Sequence, residues 1–346
     1  MDTLQKAFDE LIQELVDSSE SAEELEKLLE LTPVKLEKLI DELPSSMLEK
    51  IKRIASDGGL AERRRCHSEF VERNSSRWES GFDVLELLIE ICTESGDAIN
   101  ARLRPAAVAS QDIVFDVLVR LHAKACLVAR EILCLLKNGF ADGAHARRRA
   151  LHELAVTALF LSKNGYDTAE RYYYHEFIEG YKGALQHKAF SGRLQAAPLS
   201  EDKFIELENQ YKLVVSRFGK NFKNPYGWAE NALGKNMAKF SDLEEAVSLD
   251  HWRPYYKWAS QNIHANAKTI KTSLGLSEVS GDLLQVGPSD AGMADPAHST
   301  AISLSQITTT LLSNSPNLDD LVAMKMILVL CEDVGVSFLA SSKIKL

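Results

Sequence analysis

The feature that most constrains the fold is an apolar stripe that repeats every three or four residues along residues 106–137. Its members are Val114, Val117, Leu118, Leu121, Ala125, Val128, Ile132, Leu135 and Leu136. This period places them on one side of an α-helix. Glycine and proline are sparse and fall between such segments, and no segment alternates with a period of two residues. The sequence therefore predicts an all-α fold, a multi-helix bundle.

The same period predicts further helices on both sides of this stripe. They are expected near residues 61–78, 82–100, 144–163, 169–188, 201–217, 241–248, 253–272 and 318–340, with another beginning at Asp295-Pro296. Gly165 is expected to end one of them. The apolar stretch from Leu321 to Leu339 contains charged residues, so it is interpreted as a buried core helix and not as a membrane span.

The N-terminal residues form a separate, acidic part of the chain. Residues 1–60 hold 15 acidic and 7 basic residues, whereas the remainder holds 35 and 33. Start signals at Ser21, Thr32-Pro33 and Ser46 predict three or four short helices within residues 1–55. The Asp57-Gly58-Gly59 break then divides the chain into an acidic helical module, 1–58, and a large helical domain, 59–346. The module is expected to dock on a partner protein or to make a homo-oligomer, the alternative being a solvated acidic arm.

Composition excludes several classes of function. The near-neutral large domain argues against a broad basic surface for nucleic acid. The first ten residues, MDTLQKAFDE, lack an apolar run, and the five cysteines show no CxxC pair, so we expect a cytoplasmic chain with reduced thiols. No Walker motif, GxGxxG, HExxH or paired CxxC is present. We therefore predict no metal, no cofactor and no membrane association.

Polar side chains interrupt the otherwise apolar helix predicted over residues 144–163. From Leu154 to Leu161 every residue except Thr157 is apolar, which predicts burial. The first half carries polar residues at three- and four-residue spacing, which share one helix face: His145, Arg149, His152 and Glu153. An isolated buried charge is costly, so Arg149 and Glu153 are expected to pair or to meet further partners.

Two further polar groups are candidates for the same pocket. They are Tyr256, Ser260, His264 and Asn266 on the helix predicted over 253–272, and Glu170, Arg171 and His175 on the helix that follows Gly165. We expect these helices to converge, with Arg149, His152, Glu153 and His264 as catalytic candidates and the others as binding residues. The alternative is a hydrogen-bonded network that only fixes helix packing.

The loop from Gly287 to Asp295 is a candidate anion site. It leads into a helix start, where free backbone N–H groups and the helix dipole attract negative charge. Ser289 adds a hydroxyl donor. Near Arg149 and His264 the loop would hold a phosphate; otherwise it is an ordinary surface loop before a capped helix.

Five separated motifs resemble a widespread bacterial family defined by a domain of unknown function, 5677. The motifs are ADGAHARRRALHELAV, AERYYYHE, YGWA, DHWRPYYKWASQNIHAN and GPSDAGMADPAHSTAISL. The resemblance spans about residues 80–315 and implies an all-helical fold. Its recurrent polar positions fall here on Arg149, His152, Glu153, Glu170, Arg171, His175, Ser260, His264 and Asn266. The family has no established activity.

A looser similarity is to the HEPN superfamily, helical proteins that include metal-independent ribonucleases of toxin and phage-defence systems. Their hallmark is an arginine followed, after four to six residues, by a histidine, and Arg147 with His152 fits that spacing. The resemblance implies action on the RNA 2′-hydroxyl and phosphate, usually across a dimer. However, five steps of about 100° place Arg147 about 140° around the helix from His152, whereas Arg149 shares the face of His152.

Three functions remain open from the sequence. The first is a metal-independent nuclease or nucleotide-acting effector in bacterial defence, with His264 or His152 as general acid or base and Arg149 holding phosphate. The second is a ligand sensor or regulatory binding module without catalysis, in which the same pocket binds a small anionic molecule and alters the contacts of the acidic N-terminal helices. The third is a helical scaffold. RNA or a nucleotide is the expected ligand under the first.

Overall fold

Helices form almost all of the secondary structure in the computed structural model, which describes residues 3–19, 21–264, 267–268 and 270–344. They are α1 (Thr3–Ser18), α2 (Ala22–Ile54), α3 (Leu60–Ser110), α4 (Ile113–Lys137), α5 (Ala141–Tyr174), α6 (Glu176–Leu194), α7 (Glu201–Phe218), α8 (Glu230–Leu233), α9 (Phe240–Ala246), α10 (Arg253–Gln261), α11 (Ala294–Leu312) and α12 (Leu318–Ser341). No strand occurs within these ranges. The all-α prediction is confirmed.

Contacts between Cα atoms divide the chain into two units, Met1–Phe70 and Val71–Leu346. In the first unit, α1 and α2 leave apolar side chains exposed, among them Leu11, Ile40 and Ile51. The short helices expected over residues 1–55 are two helices, because α2 continues through Pro33 and Pro44. Leucine, glutamate and lysine, which are strong helix formers, predominate in the rest of α2. A widened turn at Ala55–Gly59, with Gly58 at a φ of +119°, lies where the module boundary is predicted.

The core of the second unit is built on α4, α5 and α11, which pack on one another. Val128 and Ile132 of α4, Ala155 of α5 and Leu304 of α11 are completely buried. Burial of a valine, isoleucine or leucine side chain stabilises the fold by about 1.5–3 kcal/mol. Asp112 caps the N-terminus of α4. Its carboxylate accepts a hydrogen bond of 3.0 Å from the backbone N–H of Phe115.

Several helix boundaries differ from those that the sequence predicts. Residues 60–110 form one helix because Gly81 packs against the ring of Phe338 instead of breaking the chain. At Gly165 the backbone is not helical, with a φ of +68° and a ψ of −153°, so α5 consists of two helical segments that meet at the glycine where the sequence predicts a helix end. The helix predicted over 253–272 ends at Gln261, where the Asn262 side chain bonds to Asp142.

The last helix is buried on one side only. Ile327, Cys331, Val334 and Phe338 of α12 are buried against the core, but many apolar residues on its other side are exposed. Among the described residues, none of the helices has the length and apolar character needed to cross a membrane.

Close packing of α3 on α4 gives a test of this fold. A Cβ added at Gly96 would lie 2.3 Å from the His122 ring, so Gly96→Ala forces a shift in a filled core. We expect it to lower the free energy of unfolding by about 1–3 kcal/mol in urea denaturation. Gly183 in α6 has no atom within 4 Å of an added Cβ, so Gly183→Ala is the matched control. It should raise stability by about 0.5–1 kcal/mol, and equal effects of the two changes would contradict the packing.

Candidate functional site

The N-terminal half of α5 places polar side chains in two different surroundings. His145, Arg148 and His152 lie at three- and four-residue spacing on the fully buried side, each 1 % exposed or less. Arg149 and Glu153 lie beside them at the edge of the core, where their side chains are 26 % and 38 % exposed. The face predicted from the sequence is therefore split between core and solvent.

Arg149 and Glu153 meet Tyr256 of α10. An Arg149 Nη2 lies 3.1 Å from Glu153 Oε1, and the Tyr256 hydroxyl donates a bond of 2.5 Å to the same oxygen. The Arg149 guanidinium also lies over the Tyr256 ring, 4.8 Å from its centroid. Burial, followed by the bond to Glu153, raises the pKa of Tyr256 well above its usual range. The predicted convergence of these residues from α5 and α10 is present.

His152 is part of a second, deeper group. Its Nε2 lies 3.0 Å from Glu244 Oε1 of α9, and the other Glu244 oxygen accepts a bond from Arg253. His152 is 1 % exposed and Glu244 is fully buried, so two donors compensate a carboxylate in the core. The Arg253 guanidinium also lies 5.7 Å from the Tyr256 ring centroid, which connects this group to Arg149 and Glu153.

Arg148 and His145 carry buried nitrogen atoms without partners. Nε and Nη1 of Arg148 and both ring nitrogens of His145 have no hydrogen bond among the described residues. Burial lowers the pKa of Arg148 to about 10, although Asp295 and Glu244 act in the opposite direction. Burial lowers the pKa of His145 to about 4, and its ring packs on that of Trp258 at 4.7 Å.

Arg148 is the residue that sequence reasoning misses. Among the three consecutive arginines, Arg149 shares a helical face with His145 and His152 and was selected for that reason. A signal for Arg148 was nevertheless present: Ala144, Leu151 and Ala155 recur around it at three-, four- and seven-residue spacing and define the buried side. Arg148 lies in the middle of that side.

Asp142 holds the segment between α10 and α11 against the start of α5. Its carboxylate accepts bonds from the Ser273 hydroxyl at 2.5 Å and from the backbone N–H groups of Leu274 at 3.0 Å and Gly275 at 3.3 Å. The Asn262 amide donates a fourth bond at 3.3 Å. Four donors satisfy a single carboxylate, so this segment is fixed at its middle.

Two cavities adjoin Asp142. The smaller, of about 280 Å³, is lined by Asp142, Trp258, Gln261, Asn262, Thr272, Ser273, Leu274, Ser277, Gly292, Ala294 and Asp295. The larger, of about 910 Å³, shares Asp142, Asn262, Thr272 and Ser273 with it and extends along residues 282–287. Cavities of this size accept small organic molecules. Gly287, Gly292, Ala294 and Asp295 of these linings belong to the loop predicted as an anion site, but none of the catalytic or binding candidates named from the sequence is among the described lining residues.

Arg149 and Glu153 line a separate open groove of about 420 Å³, together with Arg147 and Ile263. Arg147 pairs with Glu131 of α4 and not with a group of the His152 cluster. His264 is exposed and does not line this groove. The groove therefore brings together only two of the four catalytic candidates.

The third polar group lies apart from the other two. Glu170 pairs with Arg217 at 2.7 Å, and Arg171 pairs with Asp167 at 3.0 Å. His175 Nε2 donates a bond of 2.9 Å to the Asn224 carbonyl, and burial lowers its pKa. Glu170 and Arg171 both follow the non-helical Gly165, and their ion pairs are with Arg217 and Asp167 instead of with Arg149 or Glu153. The convergence of this third group with the first is not observed.

The remaining binding candidates have local roles. The Ser260 hydroxyl donates to the Tyr256 carbonyl at 2.7 Å, within α10. The Ser289 hydroxyl donates to the Gly275 carbonyl at 2.6 Å and helps to hold the loop. Asn266 lies outside the described residues. Within the described ranges, no group of His, Cys, Asp and Glu side chains is arranged to hold a metal ion.

Residues 115–282 match the model of a family described as "Family of unknown function (DUF5677)". The predicted resemblance to this family is confirmed over that segment, which contains the α5, α9 and α10 clusters but not Asp295. No curated protein and no solved structure matches the chain. The similarity to HEPN proteins stays a prediction.

The buried histidine provides a pH-dependent test of the site. The pKa of His145 is about 4 in the folded chain against an ordinary 6.5, so only the unfolded chain binds a proton between these values. The stability from the neutral ring is complete above about pH 6.5 and is lost as the pH falls, at about 1.4 kcal/mol per pH unit for one proton. In urea denaturation, the free energy of unfolding of His145→Phe should therefore fall less steeply than that of wild type as the pH is lowered from about 6.5 to about 4.5.

Exposed His264 is the matched control. His264→Phe should retain the wild-type slope, because this side chain is in water in both states. A wild-type slope in the His145→Phe variant would contradict the buried, neutral state of His145.

Proposed function

We propose that this chain is a ligand-binding module with a sensing or regulatory role, and that its ligand is a small organic cation. The observation that carries the proposal is the 280 Å³ cavity, in which the exposed carboxylate of Asp295 lies in the same lining as the Trp258 ring. No hydrogen bond to the Asp295 carboxylate is present among the described residues. A protonated amine fits this pair, since it gains from both a carboxylate and an aromatic face.

The other lining residues support the same ligand class. Asp142 adds a second carboxylate, while Gln261 and Asn262 offer amides and Thr272 and Ser273 offer hydroxyls. No lysine or arginine belongs to the described lining. The cavity therefore has a negative local charge, together with hydrogen-bonding groups that can orient a small polar molecule.

A phosphate is less well suited to this place. The start of α11 would attract an anion, but Asp295 in its first turn already supplies a negative charge there. The same carboxylate acts on buried Arg148. An incoming phosphate would meet Asp142 and Asp295 without an opposing cation in the lining, and like charges in a partly buried site repel strongly.

The contacts of the proposed catalytic residues also favour binding over catalysis. Ribonuclease chemistry across Arg147 and His152 needs both side chains at the RNA, whereas Arg147 bonds to Glu131 and His152 to Glu244. A general acid or base must come within hydrogen-bond reach of the proton that it moves. His152 is sealed in the core, which keeps it out of that reach.

The regulatory effect of such a module is proposed to be a change in the contacts that residues 1–58 make with other proteins. Apolar side chains at helical spacing are exposed there, among them Met47, Leu48, Ile51 and Ile54 on α2. Exposed apolar patches of this kind mark surfaces that bind other proteins. Their exposure supports a partner-binding or assembly role for the acidic module.

A thermal-shift titration with agmatine and spermidine at constant ionic strength tests the ligand class. We expect a concentration-dependent rise in Tm, because a ligand that binds only the folded state stabilises it. Trp258→Ala and Asp295→Asn should each weaken apparent affinity about tenfold or more, because the first removes the aromatic face and the second removes the carboxylate charge. The ligand should be recovered unchanged by mass spectrometry.

Glu245→Gln is the matched control, since it removes an exposed carboxylate that does not line the cavity. If Glu245→Gln weakened the apparent affinity as much as Asp295→Asn, the binding would be general charge attraction, and the proposed site would be wrong. Cleavage of total RNA by the wild-type chain in EDTA, lost in Arg149→Ala, would favour the nuclease hypothesis instead.

A further inference from the structure

The side of α12 that faces away from the core is unusually apolar. Eight apolar residues are each exposed by 48 % or more: Leu318, Leu321, Val322, Met326, Leu328, Val329, Val336 and Leu339. The buried side contains Ile327, Val334 and Phe338. Isolated exposed apolar residues are common, but a continuous row along one helix marks a surface that is covered by another molecule.

Most of this row, with two charged residues, falls on one narrow line. The residues are Leu318, Leu321, Lys325, Leu328, Val329, Glu332, Val336 and Leu339, called here the α12 stripe. At about 100° per residue they lie within about 100° of the helix circumference. All eight are exposed.

The two charges in the stripe have no partners of their own. The residues three and four positions from Lys325 are Leu321, Val322, Leu328 and Val329, and those around Glu332 are equally apolar. Neither charge forms an ion pair within the part of the chain that the structure describes. Charges on exposed helices usually pair at such spacing, so both are left to pair with another molecule.

We propose that the α12 stripe binds the α12 stripe of a second copy of this chain, antiparallel, around a two-fold axis between Leu328 and Val329. In this register Leu318 meets Leu339 of the other copy, Leu321 meets Val336, and Leu328 meets Val329. Lys325 meets Glu332, and the symmetry repeats that ion pair on the other side of the axis.

The spacing of the stripe identifies a second copy as the occupant. Read from either end, the stripe has the same order of intervals, so each residue of one copy has a matching residue in an antiparallel second copy. Reversal also exchanges the positive and negative positions, which makes the stripe complementary to itself in charge. The six apolar residues of the stripe, together with Val322 and Met326 beside it, expose on the order of the 800 Å² that each partner contributes to an interface of standard size.

Charge-reversal variants of the full chain test this interface by light scattering after size-exclusion chromatography. Wild type should be a dimer. Lys325→Glu and Glu332→Lys should each raise the dissociation constant at least about tenfold, because each places like charges at both contacts. The double variant should dimerise again, and an equimolar mixture of the two single variants should form heterodimers.

Leu213→Glu on α7 is the matched control, since Leu213 is 68 % exposed outside the stripe and should leave the dimer intact. Val329→Glu at the axis should be monomeric by light scattering, and its circular dichroism spectrum should show that it is folded. A monomeric wild type would overturn the proposal. So would a dimer unaffected by Lys325→Glu and Val329→Glu, which would place the interface elsewhere, residues 1–58 included.

Discussion

The burial of polar side chains in the middle of α5 is the constraint on which the rest of the second unit depends. His145, Arg148 and His152 occupy the side of the helix that faces the core. Transfer of a charge out of water costs several kcal/mol unless partners compensate it. The surrounding helices must therefore either supply opposite charge or keep the group neutral.

Each of the three residues meets this requirement differently. His152 bonds to Glu244, whose buried carboxylate Arg253 also holds, and these contacts fix α9 and α10 against α5. His145 stays neutral near pH 7, because burial lowers its pKa to about 4. The negative charges of Asp295 and Glu244 nearby favour the charged form of Arg148, against the effect of its burial. Asp295, at the start of α11, therefore stabilises the charge of Arg148 and also lines the proposed ligand cavity.

The sequence predicts the helices well because their period is a local property. The stripe from Val114 to Leu136 needs no knowledge of distant residues, and α4 follows it closely. Boundaries at glycine and proline are harder to predict, since Gly81 and Pro44 continue a helix when packing and neighbouring residues favour it. The exposed side of α12 could not be inferred either, because its apolar residues lie on every side and give no sign of which side is covered.

The candidate site depends on distant contacts, which local spacing does not contain. Spacing within α5 led to Arg149 and Glu153, and their pairing is observed. It could not show that Asp142 bonds to Ser273, more than a hundred residues later, or that Trp258 packs on His145. Those contacts form the cavity walls. Local spacing therefore predicted a site at the groove beside Arg149 and not at the cavity beside Asp142.

The central position of α11 relates the two proposed surfaces physically. Its first turn lines the smaller cavity, and its His298 packs against Gly335 of α12 so closely that an added Cβ would lie 2.7 Å from the ring. Close-packed interiors transmit displacement instead of absorbing it. A ligand that shifts the start of α11 would therefore act on α12 and on any dimer formed there. Such coupling is reciprocal. The factor by which the ligand changes the dimerisation constant would therefore equal the factor by which dimerisation changes the ligand affinity.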